Sequence, residues 1–283
     1  MAWNLKKIYK YSRDVFEADH GAILVEDDSG EKRLDVLQGM YREFGFPSNL
    51  KMLIKFVKSS KERRKILMGI DYNEESFVKE EVVTKLSDVE YLQSLPPNTV
   101  GGHLGNLFKN WSIEELYDKR YLSNEENEES FLKGSLGTEI RSNTSRHLFL
   151  WHDMLHILFR YDTSIFGEAL VQKVTCQAVP SWAPTYVAFI VTLKVAWRTK
   201  SLMPFKAFKE AGKLGKAADK KDLICRSPLS LLERDIEEVR EEFDIGVPIE
   251  FLKWSKKHPD IFRGDCIHPK YEKDLIWHKA ESI

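Results

Sequence analysis

The sequence contains few cysteines and almost no net charge, and both absences exclude classes of protein. Its 283 residues include three cysteines, Cys176, Cys225 and Cys266, which are widely spaced and odd in number. A framework of disulfide bonds is therefore excluded, and a reducing compartment is expected. The 43 basic and 44 acidic residues give a formal net charge of -1, so the composition indicates no nucleic-acid partner.

The chain also lacks an apolar segment of the kind that targets a protein to a membrane or spans one. Its first residues contain no apolar signal core, and Asp14 and Glu17 are unusual in a transit peptide. In the most apolar stretch, residues 178–197, the part that follows Pro184 is too short to cross a hydrocarbon core of roughly 30 Å. We therefore expect a buried helix here, in a cytoplasmic protein whose membrane contact, if it has one, is peripheral and on the inner face.

Helical periodicity dominates the rest of the sequence, and no run of alternating β-branched residues is long enough to build a sheet. These patterns predict an all-α fold with a single multi-helix domain. We expect an N-terminal helical extension (1–84), whose first 30 residues are interpreted as an extension with a loop and leave room for short strands. A helical core (85–245) and a C-terminal tail (246–283) follow.

Three segments of the predicted core carry expectations of their own. Glycines at 101, 102 and 105 leave residues 100–108 open to two interpretations, a closely packed helix or a loop. The predicted amphipathic helix 229–243 is expected to place Arg240 on its outer face. The lysine-rich run 206–221 is interpreted as a solvated helix face or as a contact with anionic lipid headgroups, with nucleic acid least favoured.

The main functional signal is a cluster of candidate metal ligands. On a helix, His152 and His156 lie four residues apart on one face and can bind the same ion. Asp153 lies about 60° from His156 around the helix axis. There it can act as a third ligand or orient an imidazole ring. A His-x-x-x-His pair taken alone is also common on helices that bind no metal.

A fourth candidate ligand follows in the next predicted helix. The first helix should end near Arg160, and Asp162-Thr163 can cap an antiparallel helix that runs to about Gln177. At 1.5 Å of rise per residue, His156 and Glu168 then both lie about 8–10 Å from the turn, at the same level. Two imidazoles with one or two carboxylates suit a divalent ion, Zn²⁺ first, with Fe, Co or Mn as alternatives.

The same residues resemble the signature of a known family. His152-Asp153-x-x-His156, followed after eleven residues by Glu168, is similar to the central motif of the Coq-four family, the fourth ubiquinone (coenzyme Q) biosynthesis protein. Three flanking segments resemble that family's Thr-Ser-x-x-Gly-Glu, Leu-Pro-x-x-Thr-x-Gly and Leu-Arg-x-x-Leu-x-Ile segments: 162–168, 95–101 and 239–245. The resemblance covers roughly residues 85–245. Arg160 stands where the family commonly has a glycine.

The resemblance implies an all-helical protein of coenzyme Q biosynthesis, with a metal ion beside a hydrophobic cavity. His152, Asp153, His156 and Glu168 would hold the ion and act in catalysis. The cavity would accept a polyprenylated ring precursor, and the reaction would remove the ring carboxylate oxidatively. Candidate lining residues, which plain core packing would also explain, are Trp151, Tyr186, Phe189, Ile190, Leu193 and Trp197.

The resemblance further implies peripheral contact with a membrane and association with other quinone-biosynthesis proteins, and it leaves a homodimer open. Two other functions remain alternatives. One is a non-catalytic scaffold that binds a prenyl lipid. The other is a metallohydrolase in which Asp153 or Glu168 acts as the general base.

Overall fold

Side-chain caps begin several helices of the chain. The computed structural model describes residues 4–18, 24–26, 29–30, 32–44, 54–55, 58, 80–108, 148, 151–179 and 182–259. Asn4, Asp88, Ser164 and Asp235 each accept a backbone N–H of the first helical turn on a side-chain oxygen. Such a cap satisfies a donor that has no partner within the helix, so these four positions fix where their helices begin.

Helices account for most of the described residues, which confirms the predicted all-α class. In chain order they are α1 (Leu5–Glu17), α2 (Val36–Glu43), α3 (Glu80–Ser87), α4 (Val89–Ser94), α5 (Val100–Phe108), α6 (151–159), α7 (Ile165–Ala178), α8 (Trp182–Thr199), α9 (Met203–Lys220), α10 (Ile236–Glu242) and α11 (Ile249–Lys257). Two 3₁₀ turns, Leu223–Cys225 and Pro228–Leu231, lie between α9 and α10. The helix predicted from residue 229 thus begins only at Ile236.

The prediction for the first 30 residues was wrong in part. Helix α1 occupies residues 5–17, and it buries Ile8, Tyr11 and Val15. Their spacing of three and four residues is that of a helix face. A short antiparallel ribbon follows, in which β1 (Leu24–Glu26) pairs with β2 (Lys32–Asp35). Three- and four-residue strands carry too little alternation to be recognised in a sequence.

The chain divides into two compact units. The first comprises Met1–Lys55, Phe159–Lys216 and Val247–Pro269, and the second comprises Phe56–Leu158, Ala217–Gly246 and Lys270–Ile283. Helices α6 and α9 continue from one unit into the other. The boundaries predicted near residues 84 and 245 stay predictions.

In the first unit, α8 packs against α7, α1 and α2. Its inner face buries Ala183, Val187, Val191 and Val195, so the helix predicted in residues 178–197 is present but is buried on one side only. Across the described residues, every helix is too short or too polar to cross a membrane.

The first unit also includes α11, which belongs to the segment predicted as a tail. Phe251 and Trp254 are buried, and the Trp254 ring lies 4.7 Å from that of Phe166 in α7. The Glu210 carboxylate accepts the Glu250 N–H at 2.9 Å and so occupies the positive end of α11. Burial nevertheless raises the pKa of Glu210, and repulsion from Glu250 acts in the same direction, against the backbone donors.

In the second unit, α5 packs closely against α4. A Cβ atom at Gly105 would lie 2.7 Å from the carbonyl carbon of Leu92, and one at Gly102 would overlap the Pro96 carbonyl oxygen. Real Cβ atoms essentially never make contacts that short, so α5 can approach α4 and the Pro96 carbonyl this closely only with glycine at these two positions. The closely packed helix is therefore the correct interpretation of residues 100–108.

Candidate metal centre

Helix α6 carries the histidine pair and ends where the sequence predicted. Residues 151–159 are helical, and Arg160 follows with a φ of 58°. This is the left-handed conformation that commonly terminates a helix and that glycine adopts without a steric penalty. Arg160 therefore stands at a position where a side chain is strained and glycine would not be.

A hydrogen-bonded turn joins α6 to α7. The Asp162 carboxylate accepts from the backbone N–H and the hydroxyl of Ser164, and the Ser164 hydroxyl caps the Gly167 N–H at 3.2 Å. The sequence predicted a cap at Asp162-Thr163. The capping residue is instead Ser164, the next residue along, and Asp162 accepts hydrogen bonds from Ser164 rather than from the helix. A Cβ atom at Gly167 would overlap the Asp162 carbonyl oxygen, so this position, directly before Glu168, has no room for a side chain.

The hairpin brings three of the four predicted ligands together. His152, His156 and Glu168 each present one donor atom, and these atoms all lie within 4.8 Å of one another. The two imidazole rings meet nearly edge to face, with centroids 4.8 Å apart. His156 is 1% exposed, whereas His152 and Glu168 are half-buried. The group is thus closed on one side and accessible to solvent on the other.

Asp153 does not belong to this group of three. Its Oδ1 lies 3.3 Å from Nδ1 of His152, and both side chains are partly buried. A carboxylate at one ring nitrogen fixes the orientation of an imidazole and determines which nitrogen remains available as a ligand. Of the two roles that the sequence left open for Asp153, this contact favours the orienting role.

The guanidinium of Arg240 contacts the end of α6, and its predicted place on the outer face of its helix was wrong. The side chain predicted on the outer face of its helix is 2% exposed. Its Nε donates to the carbonyl oxygen of Leu158 at 3.0 Å, its Nη2 donates to that of Ile157, and its Nη1 lies 2.6 Å from Glu237. The two carbonyls belong to the last turn of α6, where carbonyl groups commonly lack a donor within the helix.

A signal for this burial was present in the spacing. Arg240 follows Ile236 by four residues, so it lies only about 40° from it around the helix axis. Ile236, Val239 and Phe243 are all buried, and Arg240 shares their face. The prediction placed Arg240 outside because its side chain is charged. A guanidinium can nevertheless be buried where carbonyl and carboxylate oxygens accept its hydrogen bonds.

The candidate cavity residues lie in different environments. Trp151 is 0% exposed, and Tyr186 and Ile190 are half-buried. Phe189, Leu193 and Trp197 are exposed. The cavity itself stays a prediction.

Comparisons with known proteins give one distant likeness. No family model matches the chain, and no curated protein matches it either. A solved structure from Nostoc punctiforme, described as a "putative ubiquinone biosynthesis protein", matches with a TM-score of 0.44 and 13% sequence identity. The match covers 87% of this chain and 100% of the other.

Proposed function

We propose that His152, His156 and Glu168 hold a divalent metal ion and that the protein acts on a prenylated ring precursor of quinone biosynthesis. The convergence of the three donor atoms within 4.8 Å carries the first part. The resemblance of residues 152–168 and their flanking segments to the Coq-four motif supports the second. The proposed reaction is oxidative removal of the ring carboxylate.

The donor set fits such an ion. Two imidazoles and one carboxylate form a three-ligand set that leaves a coordination position open, as in catalytic zinc sites and in sites for non-haem Fe(II). Ligand atoms that lie about 2.0–2.2 Å from an ion are roughly 3.4 Å from one another in tetrahedral geometry. The observed spacing of up to 4.8 Å exceeds that value by about 1.4 Å, and small rotations of the three side chains would close such a gap.

Residues in α6 and at the start of α7 hold the three ligands in position. Asp153 orients His152, and the Ser164 cap with Gly167 fixes the first turn of α7, which carries Glu168. The buried position of His156 keeps water from one side of the group. A bound ion would supply Lewis acidity beside the substrate carboxylate. In the net reaction, a ring carboxylic acid and half a molecule of O₂ give a phenol and CO₂.

Metal analysis of the purified 283-residue chain tests the first part. The wild type should retain about one equivalent of Zn or Fe after desalting, and Glu168→Gln and His156→Ala should each lose at least tenfold in affinity. Asp153→Asn should weaken binding less than either ligand variant because Asp153 acts through His152. His103→Ala, in α5, serves as the matched histidine control and should bind as the wild type does. A wild type without metal affinity would refute the proposal.

Turnover tests the second part. The metal-loaded protein, incubated with a prenylated 4-hydroxybenzoate and O₂, should release CO₂, and His156→Ala should abolish the release. Tight binding of the prenylated compound without CO₂ release would instead identify a lipid-binding scaffold. Hydrolysis of a simple ester or phosphate ester would identify a metallohydrolase. Both results contradict the proposed reaction, whereas neither contradicts the metal site.

A further inference from the structure

Helix α11 is anchored by a side chain from another helix. Its N-terminal flanking residue, Pro248, supplies no side-chain cap. The Glu210 carboxylate of α9 takes that role, since its Oε2 accepts the Glu250 N–H at 2.9 Å. The backbone N–H groups of Ile249 and Phe251 also donate to this carboxylate. Donors that have no partner within α11 are thus met from outside the helix.

The aromatic side of α11 packs on the turn that leads to Glu168. The centroid of the Phe251 ring lies 5.2 Å from that of Tyr161, at the beginning of this turn, and 6.0 Å from that of Phe166, at the start of α7. The Trp254 ring meets the Phe166 ring nearly edge to face, with centroids 4.7 Å apart. All four rings are at most 2% exposed. Two rings of α11 therefore contact both ends of the segment that places Glu168.

We propose that Glu210 is a positioning residue for the candidate metal centre. It anchors α11, and the rings of α11 brace the first turn of α7, which carries the ligand Glu168. Every residue on this path belongs to the first unit. A close-packed interior transmits displacement, so a ring held against Phe166 restricts the backbone two residues before the ligand. The inference rests on the proposed metal site, and α11 lies outside residues 85–245, to which the family resemblance is limited.

Anchoring of α11 and binding of a metal ion must then stabilise each other. If docked α11 holds Glu168 in the geometry that an ion needs, docking raises the affinity for the ion. Thermodynamic linkage requires the bound ion to favour docking by the same factor. Amide hydrogen exchange measures such local opening. The two informative amides are that of Glu250, which donates to Glu210, and that of Glu168, which donates to the Ser164 carbonyl oxygen at 2.8 Å.

Hydrogen exchange of the metal-free 283-residue chain tests the brace itself. Glu210→Ala removes the acceptor, so exchange of the Glu250 amide should rise at least about tenfold. Exchange of the Glu168 amide should rise with it, by about threefold or more. Glu210→Gln keeps an acceptor oxygen and should restore both rates. Trp254→Leu keeps the anchor but removes the ring contact with Phe166, so it should raise exchange of the Glu168 amide more than that of the Glu250 amide.

Isothermal titration with Zn²⁺ tests the coupling to the metal centre. Glu210→Ala should bind Zn²⁺ about fivefold more weakly than the wild type, and Zn²⁺ should slow exchange of the wild-type Glu250 amide by a similar factor. Glu210→Gln should bind as the wild type does. Val15→Ala is the matched control, because Val15 is 0% exposed in α1 of the same unit. It should lower the free energy of unfolding and leave the affinity for Zn²⁺ unchanged.

Three results would overturn the proposal. The first is an unchanged exchange rate of the Glu168 amide in Glu210→Ala, and the second is a Glu210→Gln protein that exchanges and binds as Glu210→Ala does. The third is a loss of Zn²⁺ affinity in Val15→Ala as large as that in Glu210→Ala, because the effect would then be one of overall stability. A wild type without Zn²⁺ affinity refutes the proposed metal site instead, and the metal-free exchange rates still decide whether α11 braces the turn.

Discussion

Arg240→Met removes the hydrogen bonds that hold the end of α6 while keeping a side chain of similar length in the buried space. Two carbonyl oxygens, those of Ile157 and Leu158, lose their donors. A buried acceptor without a donor costs about 1–3 kcal/mol, or roughly 2–6 kcal/mol for two. Methionine carries no charge, so the variant avoids the free-energy cost of burying a guanidinium, and this offsets part of the loss. We expect the free energy of unfolding to fall by about 2–4 kcal/mol.

Urea unfolding followed by circular dichroism measures this change against a matched control. Arg234→Met removes another arginine of the same unit, whose Nη1 lies 2.7 Å from Glu242, but both side chains there are more than a third exposed. An exposed ion pair of this kind contributes less than about 1 kcal/mol. Equal unfolding free energies for the two variants would refute the inference that the buried guanidinium acts as a helix cap.

Arg240 should also affect the metal centre, since His156 lies in the last turn of α6. Without the cap that turn frays, so Arg240→Met should bind metal more weakly, and Arg240→Lys, which can reach one carbonyl, should be intermediate. Isothermal titration with Zn²⁺ measures both. A folded Arg240→Met protein with wild-type affinity would show that the helix end needs no external donor.

Three further predictions follow from the hairpin and from α11. Gly167→Ala forces a Cβ atom against the Asp162 carbonyl, so it should cost about 1–3 kcal/mol or more in urea unfolding and weaken metal binding by displacing the first turn of α7. Arg160→Gly should be about 1 kcal/mol more stable than Arg160→Ala, since both lack the guanidinium and only alanine is strained at a φ of 58°. The raised pKa of Glu210 makes its ionisation more costly in the folded chain, so stability falls as pH rises from the ordinary pKa to the folded one. The Tm of Glu210→Gln should therefore rise relative to wild type between acidic and neutral pH, and a constant difference in Tm would contradict this.

The predictions that succeeded rest on local rules. The spacing of His152 and His156 places them on one helix face, and the rise per residue places Glu168 at their level; both statements follow from helix geometry within 17 consecutive residues. The helix end at Arg160 was likewise foreseeable. Each of these features depends on neighbours in the sequence, which is why the sequence alone was sufficient.

The features that the sequence did not provide depend on distant contacts. The spacing of Arg240 indicates a buried face, but the carbonyl acceptors that meet its guanidinium lie 82 and 83 residues away. Helical spacing cannot identify these acceptors. The outward orientation of Trp197 depends on which side of α8 packs against α1, α2 and α7, and an apolar stripe alone does not distinguish core from surface. Asp153 was ambiguous for the same reason, since its choice between ligand and orienting partner depends on side-chain geometry.

The long separation between Arg240 and α6 has a consequence for how the protein folds. Formation of the hairpin that carries all the candidate ligands closes only a short loop. This step is fast because little chain entropy is lost. The Arg240 bonds close loops of 82 and 83 residues, which lose more chain entropy, so we expect them to form later. We therefore expect Arg240 variants to unfold faster while refolding at nearly the wild-type rate. The candidate metal centre would then form early as a loosely held hairpin, and its last step would be the docking of a guanidinium that lies 82 residues further along the chain than Leu158.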